Sequence, residues 1–167
     1  WTYESLMPEG KALQGCTSHD LGQNFSKVFG IKFQDKDGST KFAWQTSWGF
    51  STRSIGGLVM MHGDDQGLRL PPKLAPVQVV VVPVMTDDQA VVGYGEELTE
   101  ELQTAGIRVK LDVREDETFG FKINKWEVKG VPLRVEIGER EVEGNKLTIV
   151  RRDTGEKQEI QADTPGV

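Results

Sequence analysis

Cysteine is almost absent from this chain: Cys16 is the single thiol in 167 residues. That excludes an internal disulfide and a zinc centre built on cysteines. Long apolar runs are missing as well, since none approaches the ~20 residues of a membrane-spanning helix. The greasiest stretch, VQVVVVPV, is ended by Pro83 and reads as a buried strand. No basic-apolar-small pattern of a secretory leader opens the chain, so the expected compartment is the cytosol. The chain starts WTYES, without an initiator Met, and reads as the interior of something longer. There is no repeat and no low-complexity tract. A G-x-G-x-x-G fingerprint is also lacking. GYGEE (Gly93 to Glu97) is too short for one, and its glycines read as loosening the entry to a helix, which argues against a dinucleotide-dependent enzyme.

What remains is an ordinary globular composition, with 37% hydrophobic and 28% charged residues. The length suits one medium domain or two small ones. The net charge of −6 is unevenly placed. Residues 1–72 balance seven acidic against seven basic side chains, and residues 73–167 carry 19 acidic against 13 basic. Binding responds to the field within a Debye length of about 10 Å, so the acidic total lowers the prospect of non-specific RNA binding without excluding a specific site.

The patterning changes along the chain. ALQGCTS reads as a strand entering a turn. Leu21, Phe25 and Phe29 form a helical stripe stopped by Gly30. IKFQD and KFAWQTSW alternate as strands around a DKDGS hairpin loop, and Thr52 is placed to cap a helix ended by Gly63. LRLPPKLAP reads as a stiff linker. Beyond it, VQVVVVPV, a helix over Glu96 to Ala105 capped by Gly106, and IRVKLDV form a βαβ unit. FGFKINKWEVK reads as a helix, PLRVEIG as a strand, and NKLTIVRR with GEKQEI as a terminal hairpin around DTG.

Three strings carry chemistry. QGCTSH (Gln14 to His19) offers an amide, hydroxyls and an imidazole for a phosphate or an ammonium. On the hexapeptide alone, a helix cap by Thr17 or Ser18 with a hydrogen-bonded His19 is the commoner reading. TSWGFSTR (Thr46 to Arg53) joins an indole plane, suited to a small cyclic ammonium, to an arginine at a helix start, suited to an anion. A core Trp beside a surface Arg is the plain alternative. Lys122, Lys125, Lys129, Arg134 and Arg140 gather around Trp126 and Glu136, a pattern equally suited to RNA contacts or to a solvated sheet edge. His62, Asp64 and Asp65 do not make a metal cluster and read as a solvated turn.

Taken with IGGLVMMHGDDQGLRLPPKLAPVQVVVVP and GVPLRVEIGER, these strings resemble the class II prolyl-tRNA synthetases of the archaeal/eukaryotic-like type over nearly the whole chain. The resemblance implies an α+β catalytic-domain portion, an antiparallel sheet with helices carrying motif 3, over residues 1–72. An α/β anticodon-binding domain with a mixed, mostly parallel five-stranded sheet would follow over 73–167. It implies ATP contacts at Gln14, Thr17, Ser51 and Arg53, with Gln14 also near ATP-borne Mg²⁺. Proline would be lined by His19, Ser47 and Trp48. The anticodon of tRNA(Pro) would be read by Arg134, Glu136, Arg140, Lys125 and Lys129. The implied reaction activates L-proline with ATP and transfers it to the tRNA, in an enzyme that is a homodimer at full length. Motifs 1 and 2 are missing, so the chain alone is expected to be inactive. A non-catalytic tRNA-binding or regulatory module on the same fold is the alternative.

Overall fold

A computed structural model of the chain describes residues 1–162 and divides it into two compact units, Trp1–Met61 and His62–Val167. In the first unit, β1 (Thr2–Leu6), β2 (Ala12–Gly22) and β5 (Gln45–Phe50) form an antiparallel sheet in the order β1-β2-β5. Helix α1 (Asn24–Phe29), the hairpin of β3 (Lys32–Gln34) and β4 (Thr40–Phe42), and helix α2 (Arg53–His62) complete it. This is the expected antiparallel α+β arrangement.

Local chemistry accounts for several of these boundaries and corrects others. Helix α1 ends at Gly30, whose φ of +69° is open to glycine at little cost. The Leu21–Phe25–Phe29 stripe does not form a core face, because Leu21 belongs to β2 and the two phenylalanines are exposed, their rings 6.2 Å apart. Ser26 is the buried residue of that helix. The α2 start is served by Ser51 rather than Thr52, through its Oγ accepting from the Arg53 amide at 3.4 Å.

The second unit opens with a short hairpin, β6 (Gly63–Asp64) and β7 (Gly67–Leu68). Its main sheet contains β8 (Val79–Pro83), β9 (Val109–Leu111), β10 (Leu133–Ile137), β11 (Lys146–Arg151) and β12 (Lys157–Gln161) in the order β12-β11-β10-β8-β9. β8 pairs in parallel with β9 and β10, while the β10–β11 and β11–β12 pairings are antiparallel, so β11 alone runs against the other four. Helix α3 (Gln89–Thr104) links β8 to β9, α4 (Phe119–Val128) links β9 to β10, and α5 (Glu139–Gly144) links β10 to β11. The first connection steps to one side of β8 and the second steps back past it. Crossovers of one hand therefore place α3 and α4 on opposite faces.

Both faces of β8 are consequently buried, which is why its sequence is an unbroken valine run. Val79 and Val81 pack with Val91, Val135, Ile137 and Leu147 on the α3 side; Val80 and Val82 pack with Trp126 and Val131 on the α4 side. Helix α3 starts before the expected Glu96, because Asp88 caps it by accepting from the amides of Ala90 at 2.8 Å and Val91 at 3.4 Å. The glycines of GYGEE do not loosen its entry. Gly95 lies inside the helix, where a Cβ would come within 3.0 Å of Leu111, so it lets the helix lie close on the sheet.

The linker expected after Leu68 is part of this unit. Arg108 donates to the carbonyls of Pro72 at 2.9 Å and Ala75 at 3.0 Å, fixing the proline segment. The hairpin ahead of it docks on the end of α4 through two glycines. A Cβ on Gly67 would come within 2.5 Å of Val128 backbone, and one on Gly130, at φ +71°, within 2.5 Å of Leu68. Asp64 is exposed, as expected, but it ends β6 and is tied down. It accepts two hydrogen bonds, at 2.6 and 3.0 Å, from Arg152, whose side chain is 5% exposed. The hairpin and the proline segment thus belong to the compact unit that begins at His62.

Candidate functional site

In the first unit, QGCTSH lies within strand β2, not in a turn. The two neighbouring strands fix which way its side chains point. Thr17 pairs with Gly49, Ser18 with Trp48, and His19 with Ser47. Opposed residues share a face and successive ones alternate, so Thr17, His19, Ser47 and Gly49 fall on one face. Cys16, Ser18, Trp48 and Phe50 fall on the other.

Gln14 should lie with Cys16 by simple alternation. A β-bulge prevents this: Tyr3 pairs with Cys16 but Glu4 pairs with Gln14, leaving Gly15 without a partner residue. The extra residue turns Gln14 onto the face of Thr17 and His19. Its Oε1 accepts from Arg53 Nη1 at 3.4 Å, which joins the helix start to the strand. A Cβ at Gly49 would sit 2.8 Å from Thr17 Oγ1, so glycine there leaves the hydroxyl uncovered.

The structure thus brings Gln14 to Arg53 and puts Thr17, His19 and Ser47 on the face of Gln14. Ser51 lies at the helix start beside Arg53. Trp48, expected beside His19 at the proline, lies on the other face of the sheet, because odd and even positions of β5 alternate in direction. Trp48 is 84% exposed on the opposite side.

In the second unit, Arg134 and Glu136 are two residues apart on β10 and face α4, since Leu133, Val135 and Ile137 are taken by the α3 side. Arg134 Nε donates to Glu136 at 2.9 Å and its Nη1 to Glu127 at 2.8 Å; Lys157 Nζ donates to the other Glu136 oxygen at 2.8 Å. Four side chains from α4, β10 and β12 thus alternate in charge along one line. Such a line presents guanidinium donors and carboxylate acceptors in fixed positions, the requirement for reading a base edge.

Glu127 and Lys157 were missed by sequence reasoning. Glu127 follows Trp126 in a helix and could have been found from its acceptor chemistry. Lys157 is brought in only by the sheet order, which no local pattern encodes. Lys125 and Lys129 stand apart from this line: Lys125 pairs with Glu117 at 2.9 Å, and Lys129 lies 4.6 Å from the Trp126 ring centroid. Arg140 is exposed on α5. Trp126 is no stacking platform, being 5% exposed with its Nε1 donating to Asp112 at 2.6 Å. Among the described residues no cluster of His, Cys, Asp and Glu could hold a metal ion, and no helix is long and apolar enough to cross a membrane.

The sequence model of the anticodon-binding domain matches residues 78–164. The chain is 53% identical over 156 residues to a protein of Arabidopsis thaliana named proline–tRNA ligase, chloroplastic/mitochondrial, covering 92% of this chain and 29% of that protein. It is 53% identical over 165 residues to a proline–tRNA ligase of Symbiobacterium thermophilum, covering 98% of this chain and 34% of that one. Among solved structures, a prolyl-tRNA synthetase of Cryptosporidium parvum complexed with L-proline and AMP superposes with a TM-score of 0.83 at 48% identity, over 96% of this chain and 35% of that chain. The chain spans about a third of the length of these relatives.

Proposed function

We propose, from the premise that this chain belongs to the anticodon-binding-domain family of class II aminoacyl-tRNA synthetases, that it is the motif 3 and anticodon-reading portion of a proline–tRNA ligase. The observation that carries this reading is the Lys157–Glu136–Arg134–Glu127 chain. A guanine offers O6 and N7 as acceptors and its amino group as a donor. Arg134 supplies donors and Glu127, which spends only its Oε1 on Arg134, supplies an acceptor, while Glu136 holds Arg134 and Lys157 in place with its two oxygens. The salt links hold each group in place before RNA arrives, so little ordering cost falls on binding.

The complete ligase would join L-proline and ATP into an adenylate and pass the prolyl group to tRNA(Pro). In that reaction Arg53 sits beside the nucleotide phosphates and Gln14 and Ser51 flank it. Thr17 adds a hydroxyl, while His19 and Ser47 line the proline side. None of these residues needs to become covalently bonded; their work is to hold the carboxylate in line with the α-phosphate and stabilise the charge that develops. Gln14 and Thr17 offer neutral oxygens only, so Mg²⁺ fits here as an ion carried in by the triphosphate rather than held by carboxylates. A homodimer at full length and a cytoplasmic setting belong to the same reading. The first-unit residues favour this over a stand-alone RNA module, which would have no use for Gln14 facing Arg53.

The test is calorimetric titration of the chain with a stem-loop bearing a proline anticodon and with the same stem-loop carrying guanine-to-adenine changes. Selective binding of the first, lost in Arg134→Gln, is the expected result. Equal binding of all stem-loops would overturn the reading. ATP–pyrophosphate exchange by the chain alone is expected to be absent.

A further inference from the structure

We propose that the pocket between the end of β9 and the α4 surface is a phosphate site. It takes a backbone phosphate of the RNA strand whose bases the Arg134 line reads, and it contacts no base. The proposal rests on the anticodon-reading function above and adds a second, sequence-blind contact to it.

The pocket, about 490 Å³, is lined by four cations (Lys110, Arg114, Lys125 and Lys129) and by one carboxylate, Asp112. That carboxylate is already consumed. Arg114 donates to it at 2.5 and 2.7 Å and Trp126 Nε1 at 2.6 Å. Burial pushes its pKa up, but these hydrogen bonds outweigh burial and hold it well below the usual carboxylate range. Glu117 answers Arg114 at 2.7 Å and Lys125 at 2.9 Å. Lys110 and Lys129 are left without a carboxylate partner among the described residues. Their ammonium groups lie 5.9 and 4.6 Å from the centroid of one and the same indole.

Two unpaired ammonium groups gathered over one buried ring form a place where only an anion is missing. The attraction of each to the indole is too weak to substitute for a counter-ion. The chemistry also selects against a base. With both Asp112 oxygens occupied, the lining presents donors only, whereas a base edge needs acceptors as well. The indole is too deeply buried to stack.

Position links the pocket to the reading line. Lys110 faces α4 because it is opposite Val80, whose side chain packs on that helix. Around α4, Trp126 faces the sheet between Lys129 on one flank and Glu127 on the other, so the pocket and the Arg134 line lie on the two flanks of one helix end. A helix is about 10–12 Å across with its side chains. An RNA strand that crosses that helix end while a base reaches Arg134 brings a flanking phosphate to Lys129 and Lys110.

The experiment titrates the chain with the proline-anticodon stem-loop at several salt concentrations, comparing wild type, the double variant Lys110→Gln/Lys129→Gln, and Lys110→Arg/Lys129→Arg. Each lysine that neutralises a phosphate contributes about 0.7 to the slope of log affinity against log salt for single strands. The Gln pair is expected to lower that slope by about 1.4 while keeping the guanine-over-adenine ratio, and the Arg pair to restore it. Unchanged melting temperatures show that folding is intact. A slope unmoved by the Gln pair overturns the phosphate site while leaving the anticodon reading standing. A changed base ratio overturns it too, by making the pocket a reader. A wild-type chain that does not distinguish the stem-loops refutes the underlying reading instead.

Discussion

The two compact units treat their apolar residues in opposite ways. In the second, Val80, Val81, Val82 and Ile137 are fully enclosed between helices on both sides of the sheet. In the first, the buried residues are Met7, Ser26 and Gly57, while Trp48 and Phe50 stand 84% and 80% exposed. Side-chain packing thus holds the second unit, and strand pairing sets the register of the first. Each supports its own kind of site. The Arg134 line is braced from three elements, whereas the Gln14–Thr17–His19 face owes its order to backbone register.

The strongest way to break this contrast is to truncate one side chain in each unit. Ile137→Ala is expected to cost about 2–5 kcal/mol in urea unfolding followed by circular dichroism. Phe50→Ala should stay within about 0.5 kcal/mol, as for an exposed position. Equal costs would erase the distinction. Next in size, Gly130→Ala must place a side chain at φ +71° against Leu68 backbone. A loss of about 2 kcal/mol or more is expected, read as a lower denaturant midpoint.

Acid sharpens the comparison further. The hydrogen bonds from Arg152 depress the Asp64 pKa to about 2. A depressed carboxylate stabilises the fold above its unfolded pKa, near 4, and that contribution is lost as pH falls through the folded value. Between pH 4 and 2 the wild-type melting temperature should therefore fall more steeply than that of Asp64→Asn; parallel curves would disprove the clasp. Another small effect belongs to the first unit. Ser51→Ala removes a long cap hydrogen bond and should cost at most about 1 kcal/mol, seen as reduced helix signal.

Much of the second unit was legible in the sequence because its strands are short apolar runs punctuated by Gly and Pro. The valine run, the α4 helix and the terminal hairpin follow from local pattern. The first turns of α3 were hidden by Gly93 and Gly95, which suggest a loop until the sheet's closeness is known. Helix α5 is short, and no apolar stripe announces it. In the first unit, the strings pointed to Gln14, Thr17, His19 and Arg53. Which of their neighbours share a face was not readable, because that depends on pairing partners far away in sequence. The chemistry of Trp48 suits the pocket, whereas register puts it on the other side. The hydrogen bonds that Asp64 accepts are not announced near it in the sequence, because Arg152 lies 88 residues on.

The unpaired Gly15 makes the nucleotide side of this molecule a matter of counting. Insert one residue between Tyr3 and Glu4, so that Gly15 gains a partner, and regular alternation carries Gln14 to the side of Trp48 and away from Arg53. A single-codon insertion would then disarm the site without touching any group that serves it.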